Sequence, residues 1–567
     1  MKYSNHQRSS TVVSLLLLLL WTILGLSIRF YHLDLKPPSS IEIATIGYSL
    51  GHGFKQIALD QVIDLDTLLA PLRLDAAIGY SETFQRLVEE STHPPLYFWL
   101  TRWWSSIWTM DGAIVSLRVA RSLSAIFGSL AIPGIFTLAW VAFRSRSAAH
   151  LAAILMAFSP YGVYLAQEAR HYTLSILWVI ASFICLVQAL RLIQQQKAVL
   201  WWLSLIWIVI NGLGIATHYF FVLALGAEAI ALFSVWLFDN RKQSRRYLQG
   251  LSLAAIGTVA AGLAWLPIAT GISGNEMTTW IATNYELDHI LLPIPRLITW
   301  MITMVMLLPV EGVTKPVAVV SGLILVLVLL WVLPVLIRQW RRAIANSPTR
   351  LGTILALGYL FGSGIMFAGL IYGAGKDISL AARYHFVYFP IVVLLLGVAL
   401  ANCRLRISLF HPAQNQVIAV MLIMALLGSL TVVNDLGFQK SRRSDALASY
   451  IQQHTNSPTL VTLTHRTHSE IRELVALAFS FDRVNLTENR LTSNPPLFLL
   501  VSDNKFGQDN ISAVIQSVVA TQAKPLNIVG VNWEISDDHL QKLHCNRDRT
   551  KDLPDSGYSD RFYYCDR

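Results

Sequence analysis

Long apolar runs separated by short polar clusters fill the chain from Thr11 to Val433. The first, Thr11 to Phe30, holds Leu15 to Leu20 unbroken, and several later runs reach the ~20 residues a helix needs to cross a bilayer. Bulky Phe30-Tyr31-His32 follows the first run, with no small-residue cleavage site, so it reads as a retained anchor. Lys and Arg gather at alternate boundaries, which under the positive-inside rule places Lys2 and Arg8, Arg144 and Arg146, Arg191 and Lys197, the 241–246 cluster and Arg338 to Arg342 in the cytoplasm. That pattern predicts spans at 11–30, 113–143, 148–165 and 251–270, with three more: one ending at Arg191 and one on either side of Thr217-His218-Tyr219. Four further spans fall near 317–337, 353–372, 386–401 and 417–433. The piece Leu297 to Leu308 is too short to cross and reads as interfacial or re-entrant. The expectation is a mainly α polytopic membrane protein of about 11 transmembrane helices, with its N-terminus inside and its tail outside.

After Gln439 the period changes. Thr459 to Leu463, Pro496 to Val501 and Asn527 to Val531 read as strands, with helices at Ser469 to Phe479 and Ile511 to Ala520 between them. That alternation predicts a small extracytoplasmic α/β domain with a parallel sheet. The expected division is therefore 1–438, including an outer loop 33–112, and 439–567. The tail has no Gly-rich phosphate loop, and His465 and His468 alone make no metal site.

Composition sharpens the picture. Charged residues are 14% and hydrophobic residues 54% of 567, whereas soluble chains carry about 25% charge. The net charge of +10 is spread over the loops rather than gathered into a patch, so nucleic acid is not an expected partner. The cysteines lack metal-ligand spacing; Cys545 and Cys565 share the tail, where either a disulfide or two thiols fits an outer compartment.

The polar loop after the first run carries Glu42, Asp60, Asp64, Asp66, Asp75, Glu82, Glu89 and Glu90, and loops this long are usually functional or disordered. Four constellations face the outer side in the expected topology. Glu42 follows Pro37-Pro38. His93 stands before Pro94-Pro95, a rigid entry to a helix. Ser159-Pro160 leads into Gln167-Glu168-Ala169-Arg170-His171-Tyr172, a density of polar groups beyond what snorkelling at a span end requires. Lys376-Asp377 precedes Arg383-Tyr384-His385, and an outer Arg can take a phosphate by a bidentate fork or merely anchor to lipid head groups.

Taken in order, Arg29-Phe30, His93-Pro94-Pro95, Arg118 with Arg121-Ser122, Ser159-Pro160 through Tyr172, His218-Tyr219 and Arg383-Tyr384 resemble the type C membrane glycosyltransferases. The likeness is to the protein O-mannosyltransferase and lipid A aminoarabinose transferase superfamily, over about residues 10–435. The resemblance implies transfer of a sugar from a polyprenyl-phosphate carrier to an acceptor on the outer face, without a cofactor. It implies Glu42 as the catalytic carboxylate, and His93, Glu168, Arg170, His171, Lys376, Arg383 and Tyr384 as substrate-binding residues, with no metal ligands. Its partners are the lipid-linked donor, a lipid, glycan or protein acceptor, and membrane lipid. One departure stands out: the family carries an Asp-Glu pair where this chain reads Ile41-Glu42. An Ile accepts no proton, so Glu42 or another loop acid holds the role, or the chain is an impaired relative that binds carrier lipid or a partner. A lipid-sugar transporter is the other class; it favours paired halves and mid-depth polar groups, which the sequence does not show.

Overall fold

A computed structural model describes residues 2–238, 245–266, 268, 281–282, 290–403, 413–455, 457–488, 495–502, 508–522, 525–532, 540–548 and 556–566. Among them six helices are long and apolar enough to span a membrane: Thr11–Phe30, Leu117–Phe143, Tyr172–Gln194, Lys315–Ala345, Ser347–Gly373 and Gln416–Val433. The chain is a mainly helical membrane protein. Trp201–Thr217, Phe221–Leu237, Gln249–Leu263 and Phe389–Asn402 are apolar but shorter. The loop Gly271 to Gly274 and the basic cluster at Arg241 and Lys242 lie outside the described residues.

One expected span is broken. Arg146–Phe158 and Pro160–Ala166 meet at 54° across Ser159. Proline disfavours the α conformation in the residue before it, and Ser159 sits at φ −62°, ψ 121°. The short run after Leu292 forms an 11-residue helix, Pro293–Thr303, about 16 Å long at 1.5 Å per residue.

Contacts divide the chain into two compact units: 1–33, 92–97 and 121–439 form one, and 34–91, 98–120 and 440–567 the other. The core of the first lies among its helices, where Tyr161, Phe183, Tyr359 and Phe389 are fully buried. A polar network runs through it. Ser182 Oγ lies 2.8 Å from Asn211 Oδ1, 3.0 Å from Glu228 Oε2 and 2.8 Å from Trp207 Nε1.

The second unit is built on a six-stranded sheet in the order β1-β3-β2-β4-β6-β5, where β1 is Val62–Ile63, β2 Thr459–His465, β3 Leu497–Ser502, β4 Leu526–Val531, β5 Cys545–Arg547 and β6 Asp560–Cys565. The expected strands β2, β3 and β4 are its parallel centre. Three antiparallel strands extend it, so the sheet is mixed rather than parallel. Cys545 and Cys565 are register partners joined by a disulfide.

Because β1 comes from the loop after the first span and pairs with β3 of the tail, loop and tail occupy the same side of the membrane. Asp60 tightens that join: both its carboxylate oxygens accept from Ser502, one from N–H and one from Oγ–H, each at 2.8 Å. An even number of crossings must therefore separate them. Among the described residues the long helices after the loop are odd in number, so a further segment must also cross.

Candidate active site

The break at Ser159 frees backbone carbonyls that water cannot reach, and Arg29 takes them. Its guanidinium donates to Met156 O at 2.8 Å, to Ala157 O at 2.9 Å and to Gly25 O at 2.8 Å. The fit depends on missing side chains: a Cβ on Gly25 would lie 2.3 Å from Ile132 Cδ1 and 3.1 Å from Arg29 Nη1. Ser159 Oγ accepts from Gly162 N–H at 2.9 Å and donates to Met304 O at 2.6 Å, which fixes the start of the next helix. Gln167 Nε2 then donates to Tyr31 O at 2.8 Å. The turn 167–171 is thus pinned at its base, and Ser124 holds its tip by donating to Arg170 O at 2.9 Å while Arg170 N–H approaches Ser124 Oγ at 3.3 Å.

At that tip five of the expected residues of the first unit converge, Arg170, His93, His171, Arg383 and Tyr384, with His218, which the motif series contained but the site assignment did not. Arg170 Nη2 donates to His93 Nε2 at 2.9 Å, and its guanidinium lies 5.6 Å from the Tyr172 ring. The ring centroids of His171 and His218 are 4.4 Å apart, and those of His93 and His171 are 5.2 Å apart. Tyr384 packs 6.5 Å from His218, under the Arg383 guanidinium at 5.2 Å. Glu168 is buried in the same turn. Lys376 lies in a segment whose backbone bridges Ala282, and the adjacent Asp377 accepts from Arg296 Nη1 at 2.9 Å.

One nitrogen from each of His93, His171 and His218 lies within 4.8 Å of the others, a spacing that a cation could use. The proton count argues otherwise. His93 Nε2 already accepts from Arg170, and His218 Nδ1 accepts from Phe220 N–H at 2.9 Å. In a neutral ring the opposite nitrogen then carries the hydrogen and has no lone pair for a metal. Two guanidinium groups nearby also repel a cation. Burial, followed by the Arg170 and Arg383 charges, pushes His218 down to about 3; burial, then His218 and Arg170, holds His171 well below the usual histidine range. Both His171 ring nitrogens and His218 Nε2 are buried without a hydrogen-bond partner. Two arginines and ring N–H groups are the kind of donor set that an anion with several oxygens takes.

In the second unit Glu42 sits in the first turn of the helix Ser40–Ser49 and is fully buried. Its Oε2 accepts from Ser39 N–H and Ser39 Oγ–H, both at 3.2 Å, and pairs with Lys440 Nζ at 3.3 Å. The other loop acids have structural work. Asp60 binds Ser502, and Asp64 caps its helix by accepting from Thr67 N–H at 2.8 Å. Asp66 is an exposed partner of Arg73 at 3.0 Å, and Glu90 Oε2 accepts from Phe54 N–H at 2.8 Å. Ile41 lies partly buried beside Glu42. Lys440 escaped sequence reasoning because no local spacing ties it to a residue so far upstream.

No protein-family model matches the sequence, and no curated protein matches it. Solved structures do share its fold. ArnT from Cupriavidus metallidurans, determined bound to undecaprenyl phosphate, is similar at a TM-score of 0.53 with 11% identity, covering 96% of this chain and 97% of that one. The archaeal oligosaccharyltransferase AglB from Archaeoglobus fulgidus, in complex with an inhibitory peptide and a dolichol-phosphate, is similar at 0.50 with 10% identity, covering 98% of this chain and 74% of its own. At these identities the likeness is one of fold, and it agrees with the fold that the ordered motifs imply.

Proposed function

We propose that this chain transfers a sugar from a polyprenyl-phosphate carrier to an acceptor on the outer face of the membrane. The observation that carries this reading is the cluster of buried Arg170, His171 and His218 with partly buried His93 and Arg383, which offers hydrogen-bond donors and positive charge. It suits a phosphate ester, and two proteins of the same fold were determined with polyprenyl phosphates bound. In the reaction the bond between the anomeric carbon and the phosphate oxygen breaks, and the acceptor oxygen bonds to that carbon. Arg170 and Arg383 neutralise the departing phosphate, and the acceptor proton passes to Glu42. His93, Glu168, His171 and Tyr384 shape the pocket, and Lys376 serves the donor from the neighbouring loop.

The same reading assigns residues 1–438 to the membrane-embedded transferase part and 439–567 to an extracytoplasmic domain. The N-terminus is cytoplasmic, and loop and tail lie outside, where the Cys545–Cys565 disulfide is chemically at home. A second reading rests on Ile41: a relative that binds the carrier but no longer turns over. Incubating the purified protein with polyprenyl-phosphate sugars and scoring released polyprenyl phosphate tests both. Release that disappears in Glu42→Gln supports transfer; no release from the parent across a broad donor panel, with carrier still bound, supports the binding role.

A further inference from the structure

Glu42 and Lys440 form an ion pair that is unusual for its burial. The carboxylate is fully buried, the ammonium side chain is 7% exposed, and they stand 3.3 Å apart. Removing two charges from water carries a desolvation penalty that can exceed their mutual attraction, so such a pair is poor evidence for stability alone. The surroundings of Glu42 are correspondingly specific. Ser39 gives it a backbone N–H and a hydroxyl, and Lys440 gives it a full positive charge on the same Oε2. Each donor favours the ionised carboxyl over the protonated one. The remaining charges of this stretch have partners of their own: Arg442 lies 5.2 Å from the Tyr558 ring and 3.9 Å from Glu473, and Arg443 pairs with Asp445 at 3.1 Å.

We propose that Lys440 is a positioning residue for Glu42, holding its carboxylate ionised and oriented for the acceptor, so that the tail supplies part of the catalytic machinery. The inference rests on Glu42 as the base. Lys440 touches neither sugar nor carrier in this scheme; it acts through Glu42.

The test uses the full-length protein and the polyprenyl-phosphate release assay, read as a pH–rate profile. Lys440→Met should move the acid limb up by about one pH unit or more, because losing an adjacent cation makes the carboxyl easier to protonate. Lys440→Arg, which keeps the charge, should return most of that shift. A structural ion pair would lower the yield of folded protein without moving the limb. If Lys440→Met does not fold, Lys440→Gln keeps a donor to Oε2 without the charge and is read in its place. An acid limb unmoved in the folded charge-neutral variant, with Glu42→Gln inactive, overturns the role of Lys440 alone. Full turnover by Glu42→Gln, or none by the parent, overturns the underlying reading of Glu42 and this inference with it.

Discussion

Replacing Arg29 with Met should destabilise the membrane unit more than any surface change. The guanidinium serves Met156 O and Ala157 O, two carbonyls stranded where Pro160 stops the preceding helix. Its third acceptor, Gly25 O, lies one turn back in its own helix and keeps helical bonding without it. A hydrogen bond to a charged group contributes roughly 1.5–3 kcal/mol, and a buried carbonyl left unsatisfied costs roughly 1–3 kcal/mol. Counting each carbonyl once gives about 2–6 kcal/mol for Arg29→Met. Arg29→Lys keeps the charge but loses the planar fork, and should recover less than half of the loss. Thermal unfolding of the purified protein in one detergent, followed by near-ultraviolet circular dichroism, reads the effect. A drop of roughly 2–5 °C is expected for a chain of this size. A midpoint within 1 °C of the parent for Arg29→Met would refute the reasoning, because the broken helix would then hold its shape unaided.

Two further outcomes follow from the site. Arg170→Ala should weaken binding of polyprenyl phosphate more than about tenfold, with partial rescue by Arg170→Lys; isothermal titration with the purified protein reads it, and unchanged affinity leaves Arg170 a positioner of His93 only. His218, neutral in the fold and pushed down from 6.5 to about 3, must take up a proton on unfolding at acid pH. Its contribution is present above about 6.5 and is lost as pH falls towards 3, so the unfolding midpoint should decline over that window more steeply in the parent than in His218→Gln.

Much of the membrane part can be read from the sequence because a span must be a long apolar run; the helices Lys315–Ala345 and Gln416–Val433 contain their expected segments. The broken span escaped because Ala148 to Leu165 is apolar throughout, and Pro160 was the visible sign of the break. In the tail, β2, β3 and β4 are continuous apolar runs of the kind a buried parallel strand shows. The flanking strands gave no such signal. β1 is two residues long in a polar loop, and β5 three. The run Lys440, Arg442 and Arg443 after the last span resembles a cytoplasmic boundary by charge alone. Glu42, Glu473 and Asp445 account for those charges instead, two of them by pairs across distant sequence. The histidine cluster was legible as separate motifs, but its convergence depends on the turn pinned by Arg29, Ser124 and Gln167.

The pairing of β1 with β3 also sets an order of assembly. Asp60 and Ser502 are 442 residues apart, so the loop emerges from the ribosome long before its sheet exists. At about 5–20 residues per second, synthesis of the intervening chain occupies roughly 20–90 seconds. During that time Val62–Ile63 waits without its partner strand while span after span is threaded into the bilayer. Maturation of the first loop is thus a late, post-insertional event. A ribosome that stalls just short of Leu497 would leave a chain whose last long apolar helix is already made and whose first loop still lacks its partner strand.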